Sequence, residues 1–187
     1  MNSSGQQTHF PSLETERLFL RNLTVEDTDF VFSHFSDPAV TRYLMDQPPL
    51  TEYDGAQEII RFYQEPETDN RNRWGIVRKA DSQLIGTCGY HNWRQRDRRA
   101  EVGYDLSPAC WGQGYMAEAL RVVIPNGFTR MGLNRIEALV YTGNARSLQL
   151  LKKLNFQMEG TLRNYYYLND MFHDHFLFSL LRRDWTG

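Results

Sequence analysis

The stretch SPACWGQGYMAEAL, residues 107–120, sets Gly112 and Gly114 two apart behind Trp111 and then runs straight into good helix formers. A helix N-terminus offers four unpaired N–H groups and a partial positive charge, a combination that favours phosphate. Glycines there keep side chains out of an anion's way. A tight turn without a ligand uses the same residues, and a lone Gly-x-Gly by itself favours the turn. A P-loop would need Lys-Ser or Lys-Thr after its last glycine, where Tyr115 and Met116 stand, and the dinucleotide pattern Gly-x-Gly-x-x-Gly ends here at Ala117. Neither nucleotide motif fits.

Three further sets of residues could do chemistry. Glu101, in RRAEVGYDL, could take a proton directly or through water; its bland alternative is an exposed residue paired with Arg98 or Arg99. Asn144 and Ser147, in TGNARSLQLLKKLNF, open an amphipathic helix after a strand pattern. Asn is a favoured N-cap, and its amide has donors and acceptors enough to cap a helix and bind a ligand together. Lys152 and Lys153 fall at the end of that helix, where the dipole welcomes cations. His173 and His175, in HDH, would point to one side of a strand but lack a convincing third ligand, so no metal site is expected.

The elements that must position these residues follow from periodicity. TERLFLRNLT alternates like a strand, and Thr24 with Asp27 caps the helical pattern after it. Thr51 with Asp54 repeats the device before GAQEIIRFY. Three β-rich runs at 73–79, 84–94 and 98–106, separated by ADSQ and QRD, predict an antiparallel meander. Then come a helix over about 113–130, a strand over 135–142, a helix over 145–154 and two strands around LNDMFH. Pro125 should kink or end the first of these helices. The fold class is α/β (α+β), a mixed sheet with helices on its faces.

Length and composition set the bounds. The chain of 187 residues fits a single domain over 12–187 behind a flexible N-terminal tail, residues 1–11. A net charge of -2 with 24% charged residues lacks the basic excess of nucleic-acid binding. No apolar run approaches a membrane span. Cys88 and Cys110 form no metal spacing or disulfide framework, which suits a reducing cytoplasm.

Taken together, AEVGYDLSPACWGQGYMAEAL, NRIEALVYTGNARSLQLLKKLNFQMEG and LRNYYYLNDMFHDHFLFSLLRRDW resemble the GNAT N-acetyltransferases, in particular the RimJ/RimL-type branch named for ribosomal-protein N-terminal acetylation. The resemblance runs from about Leu13 to Trp185 and implies a GNAT fold, a twisted, mostly antiparallel sheet flanked by helices. It implies acetyl-CoA as cosubstrate. The loop Trp111, Gly112, Gln113, Gly114, Tyr115, Met116 and Ala117 would hold its pyrophosphate, the strand end around Leu106 would pair with pantetheine, and Asn144 and Ser147 would border the same arm. Lys152 or Lys153 could touch the 3'-phosphate. The partner implied is a primary amine, either a peptide N-terminus or a small molecule such as a polyamine, amino acid or antibiotic, and a homodimer is compatible with it. A catalytically idle coenzyme-A-binding sensor is the alternative from another class.

Attack of a free amine on a thioester needs a neutral amine, a polarised carbonyl and a proton for the thiolate. A peptide α-amine with pKa near 7.7–8.0 is partly neutral at pH 7, whereas a lysine-like amine near 10.4 is not. Glu101 is the candidate base, and a backbone N–H near Leu106 would polarise the carbonyl. Many family members carry a Tyr seven residues after the Asn, where Leu151 stands here, so Ser147, Tyr141 or water would supply the proton. Ala109 also replaces the usual Gln or Arg of the loop pattern. By the same resemblance Cys110 would lie near pyrophosphate, away from the thioester. His91, Asn92 and Tyr165 would border the acceptor cleft, with Trp93 and the other tyrosines of YYY packing the sheet.

Overall fold

The computed structural model describes residues 10–44, 48–64 and 71–187. The expected tail, residues 1–11, lies outside them except for Phe10 and Pro11, which pack: the Trp74 indole N–H donates to the Pro11 carbonyl at 2.9 Å, and the Phe10 ring stands edge-on to Trp74 and Trp93.

The strands are β1 (Leu13–Glu14), β2 (Leu18–Asn22), β3 (Trp74–Arg78), β4 (Gln83–Arg94), β5 (Arg99–Leu106), β6 (Arg135–Tyr141), β7 (Gln157–Leu168) and β8 (Met171–Leu181). The helices are α1 (Thr28–Ser36), α2 (Pro38–Thr41), α3 (Tyr53–Gln64), α4 (Tyr115–Thr129) and α5 (Ala145–Lys153). The sheet runs β1-β2-β3-β4-β5-β6-β8-β7. Among its described pairings only β5 with β6 is parallel.

Alternation decides which face each residue serves. On β5 and β6 the even positions Ala100, Val102, Ile136 and Ala138 are buried in the main core with Leu120, Val123 and Ile124 of α4 and Leu151 of α5. Tyr90 on β4 reaches through that core and donates its hydroxyl to the Val123 carbonyl at 3.0 Å. The opposite face carries α1 and α3 over a smaller core of Leu23, Val31, Phe35, Ala56 and Ile60. Two helical layers therefore enclose the sheet.

Local signals act much as the sequence predicts. The Asp27 carboxylate accepts from the Thr24 N–H at 2.7 Å, although one 3-10 turn, Val25–Asp27, precedes α1. Helix α3 begins at Tyr53, inside the predicted Thr51 and Asp54 pair. Pro125 departs from expectation, since α4 continues past it to Thr129. The carbonyl that Pro125 cannot serve belongs to Arg121, an exposed residue whose backbone water can satisfy.

Candidate active site

Strands β5 and β6 are in register only over Arg99 with Arg135, Ala100 with Ile136 and Glu101 with Glu137. Beyond Glu101 they part, β5 running on to Leu106 and β6 to Tyr141. Tyr90, opposite Val102 in the β4–β5 register, turns its backbone away to Asn72, and Ser107 donates its N–H to the Ile85 carbonyl at 2.8 Å. By the alternation of an antiparallel pair, the N–H and C=O groups of Val102, Tyr104 and Leu106 then face the gap that β6 has left. The Leu106 carbonyl is already taken by the Trp111 indole at 2.7 Å, so the end of β5 offers the gap the Leu106 N–H and both groups of Tyr104.

The gap opens into a cleft of about 800 Å³. Tyr104, Asn144 and Ser147 line it from the α5 side, and His91, Asn92, Glu101 and Arg73 from the side of α1 and α3. Tyr141, Tyr166 and His175 line its β6–β8 wall. A substrate entering over one face of the sheet can thus meet another entering over the opposite face.

At the far end of β5 the chain makes one 3-10 turn, Pro108–Cys110, and enters α4. Gly112 and Gly114 have φ of +75° and +82°, in the left-handed region that favours glycine, and Gly114 is the N-cap. The Glu118 N–H makes the first helical bond, to the Gly114 carbonyl at 3.0 Å, leaving the N–H groups of Tyr115, Met116 and Ala117 ahead of the ladder. Among the described residues nothing stands within 4 Å of where a Cβ on Gly112 would lie. Gln113 folds back, its amide donating to the Ala109 carbonyl at 2.8 Å. The Arg146 guanidinium lies 4.5 Å from the Trp111 ring centre. Open space, bare backbone and a nearby cation fit a diphosphate, and the parted strand edge fits an extended amide-bearing arm. Cys110, Cys88 and Leu151 are buried, and Lys152 and Lys153 are exposed on the last turn of α5.

Glu101 sits where the strands part. The expected alternative pairing with Arg98 or Arg99 is not what forms: Arg99 donates to Glu137 at 2.8 Å. Glu101 instead meets His91 Nε2 at 3.2 Å and accepts from the Asn92 amide at 3.2 Å. Its side chain is 12% exposed. Asn92 has φ of +52°, a conformation Asn tolerates better than most residues, and it falls where the β4–β5 register shifts between His91 and Arg94. His175 stands nearby with its pKa lowered, by burial first and against the opposing pull of the His173 carbonyl and the Glu101 charge, which favours a neutral ring.

Asn144 is a cap, its side chain accepting from the Ser147 N–H at 3.1 Å, and its amide nitrogen remains for a second partner. The Ser147 hydroxyl is 2.7 Å from the Tyr104 hydroxyl. Burial pushes the Tyr104 phenol up to about 12, with the Ser147 bond opposing, so the pair holds its protons at neutral pH. Tyr104 is a residue that sequence reasoning missed. Its parity on β5, opposite to Glu101, was the available signal. Tyr141 packs against the rings of His173 and His175 and lines the same cleft. Tyr165 is half exposed on β7, with its ring centre 6.2 Å from that of His175. Among the described residues no group of His, Cys, Asp or Glu could hold a metal ion, and His173 is bound to the Leu168 carbonyl at 3.0 Å.

A parted pair of parallel strands over a glycine-led helix defines an acetyltransferase of the GNAT type, and the comparisons agree. The family described as acetyltransferase (GNAT) domain matches residues 17–157, and the chain belongs to it. The uncharacterized N-acetyltransferase p20 of Bacillus licheniformis is 41% identical over 94% of this chain and 99% of its own. The ribosomal-protein-S5-alanine acetyltransferase of Vibrio fischeri superposes with a TM-score of 0.77 at 27% identity, covering 95% of this chain and all of that one. Spermidine N-acetyltransferase of Vibrio cholerae, solved with CoA and spermine, has a TM-score of 0.82 at 20% identity over 92% and 100%, a likeness of fold alone. The chain is an acetyl-CoA-dependent acyltransferase.

Proposed function

We propose that the chain moves an acetyl group from acetyl-CoA to the α-amine of a peptide or a small molecule by direct attack, in the manner of the RimJ/RimL-type branch. The observation that carries this reading is the parting of β5 and β6 after Glu101, which brings a carboxylate, an outward-facing strand edge and a tyrosine–serine pair to one cleft. Acetyl-CoA supplies an activated thioester. The pyrophosphate would lie on Gly112, Gly114 and the first N–H groups of α4, with Trp111 and Gln113 shaping the loop. The pantetheine arm would lie against Tyr104, Leu106 and Asn144. Glu101, oriented by His91 and Asn92, takes the proton of the incoming amine. Ser147, backed by Tyr104, would pass a proton to the departing thiolate and regain one from solvent. A backbone N–H of the freed β5 edge polarises the carbonyl without a side chain.

An α-amine suits a single carboxylate. With pKa near 7.7–8.0 it needs little help at pH 7, whereas a polyamine near 10.4 needs a stronger base and an acidic cleft to gather its charges. Among the described residues, the charged side chains lining this cleft are Arg71, Arg73 and Arg94 with Glu58 and Glu101. The test is thiol release from acetyl-CoA with a panel of peptide α-amines, small amines and spermidine. Release with an α-amine supports transfer. Acetyl-CoA binding without release to any amine would favour the sensor reading over the enzyme.

A further inference from the structure

We infer that Arg17 is a positioning residue for the pyrophosphate of acetyl-CoA: it turns the Gly114 N–H toward the anion and neutralises a carboxylate that would otherwise stand charged at the mouth of α4. The inference rests on the pyrophosphate site proposed above. Arg17 lies in the turn between β1 and β2. Thr15 builds that turn, its N–H donating to the Leu18 carbonyl at 2.9 Å and its hydroxyl accepting from the Leu18 N–H at 2.9 Å. The Arg17 carbonyl accepts from the Lys79 N–H, just past β3, also at 2.9 Å. With its backbone held, Arg17 sends a 43% exposed side chain across to the glycine loop, 96 positions away, where Nη1 donates to the Gln113 carbonyl at 3.2 Å. The guanidinium carbon lies 4.5 Å from the centre of the Tyr115 ring, and Nη2 would be 3.5 Å from a Cβ on Gly114. The guanidinium therefore covers one side of the Gln113–Gly114 peptide.

A trans peptide is planar, and its C=O and N–H point opposite ways. Because Arg17 holds the Gln113 carbonyl, the Gly114 N–H is turned away from the guanidinium, and among the described residues it donates to no partner. It joins the leading N–H groups of α4 as a donor for an anion. A carbonyl free to swing toward the site would repel that anion and withdraw the donor. Glu118 adds the second reason. It lies in the first turn of α4, and its side chain is 19% exposed. Its Oε1 accepts from the Thr15 hydroxyl at 2.6 Å and the Arg17 N–H at 2.9 Å, and its Oε2 meets both Nε and Nη2 of Arg17 at 2.6 Å. Burial would raise the Glu118 pKa, but the Thr15 and Arg17 bonds outweigh it and hold the carboxyl below its usual value. The carboxylate is one guanidinium away from the Gln113 carbonyl, in the turn where phosphate charge must settle, and at that range solvent only partly screens repulsion between like charges. Pairing with Arg17 cancels it.

Two acetyl donors test the inference: acetyl-CoA, and S-acetylpantetheine, which carries the same thioester arm without the nucleotide or its diphosphate. Arg17→Gln should weaken acetyl-CoA binding in calorimetry, and raise its KM in thiol release with the best amine acceptor, by about 10- to 30-fold, the scale of one hydrogen bond to a charged group. At saturating acetyl-CoA kcat should stay within about twofold, since the contact acts on donor binding and not on the reacting atoms. With S-acetylpantetheine kcat/KM should not change. Arg17→Gln combined with Glu118→Gln removes the uncompensated carboxylate and should regain at least about threefold in acetyl-CoA affinity. Arg17→Lys, which keeps the charge with fewer directed donors, serves if the glutamine variants do not fold, and should fall between wild type and Arg17→Gln. Unchanged acetyl-CoA affinity in whichever variant folds, an equal loss with both donors, or no recovery in the combined variant overturns the inference and leaves Arg17 a structural tie between β2 and α4. A wild type that uses S-acetylpantetheine as well as acetyl-CoA is the separate failure of the pyrophosphate site.

Discussion

Two carboxylates four residues apart on the same face of β5 meet opposite fates. Asp105 is 2% exposed and fully engaged: His34, the Thr87 backbone and the Thr87 hydroxyl all bind it. Burial alone would raise its pKa, but the His34 bond, the charges of His34 and Arg73 and the Thr87 bond outweigh burial and hold it below the usual carboxylate value. Because Asp105 is held ionised, His34 Nε2 carries the proton of their bond, and the Ser107 hydroxyl lies 3.3 Å from the other ring nitrogen. Serine, histidine and aspartate in that order resemble a nucleophilic triad, yet the cluster ties α1 to the end of β5 in the interior. Glu101 has looser partners, both at 3.2 Å, and borders the cleft. A carboxylate whose acceptor sites are saturated holds structure; one with capacity left over can accept a proton.

The contrast is sharpest in stability. Asp105→Ala takes from His34 and Thr87 the acceptor they share, and breaking a buried network of this kind costs about 3–5 kcal/mol. Chemical denaturation should show that loss in Asp105→Ala and less than about 1 kcal/mol in Glu101→Gln. Equal losses would erase the distinction drawn between the two ends of β5.

Acid should find the same difference. A carboxylate whose folded pKa lies below its unfolded value near 3.9 stabilises fully above that value and loses the contribution as pH falls through the folded one. Asp105 therefore predicts stability that declines below about pH 4. Asp105→Asn, where it folds, should flatten the decline, read from unfolding midpoints between pH 5 and 2. Glu159, held down to about 2 by Arg135 and Ser179, adds an exposed contribution in the same range, so flattening should be partial.

On the opposite face of β5, Asn144→Ala removes a cap worth about 0.5–2 kcal/mol. If the Asn144 amide also serves the pantetheine arm, affinity for acetyl-CoA falls by more than the melting temperature accounts for, as calorimetry beside thermal unfolding would reveal. The smallest effect is expected at Tyr104→Phe. It removes one hydroxyl partner of Ser147, about 1 kcal/mol, and should lower kcat several-fold with little change in KM if Tyr104 backs the proton donor.

Much of this was legible in the sequence, for identifiable reasons. Alternation in LFLRN and RIEALVY fixed strands and faces because one side of each is buried. The glycines before YMAEAL marked a helix mouth because only a positive φ makes that turn. What stayed hidden depended on contacts between distant segments. His34 reaches Asp105 across 71 positions, and Tyr104 meets Ser147 across 43; no local period encodes either. In the sequence Glu101 stands both as a candidate base and as a possible partner of its neighbouring arginines, but Arg99 turns to Glu137 on the parallel strand, and the irregular end of β4 delivers His91 and Asn92 instead. Leu151 is legible as a departure from the family pattern and Ser147 as a residue near it, while the contact of Ser147 with the Tyr104 hydroxyl on β5 required the fold.

The central claim is that Glu101 is the group that takes the amine's proton. Its most direct test is thiol release from saturating acetyl-CoA by wild type and Glu101→Gln, with the best α-amine acceptor, from pH 6 to 9. Because an α-amine near 7.7–8.0 is already partly neutral at pH 7, the loss in the variant should be largest at pH 6, modest at pH 7, and should shrink further as solvent deprotonates the amine at higher pH. Equal turnover of the two proteins at every pH, with the variant folded and binding acetyl-CoA, would contradict the account and leave Glu101 a structural partner of His91 and Asn92.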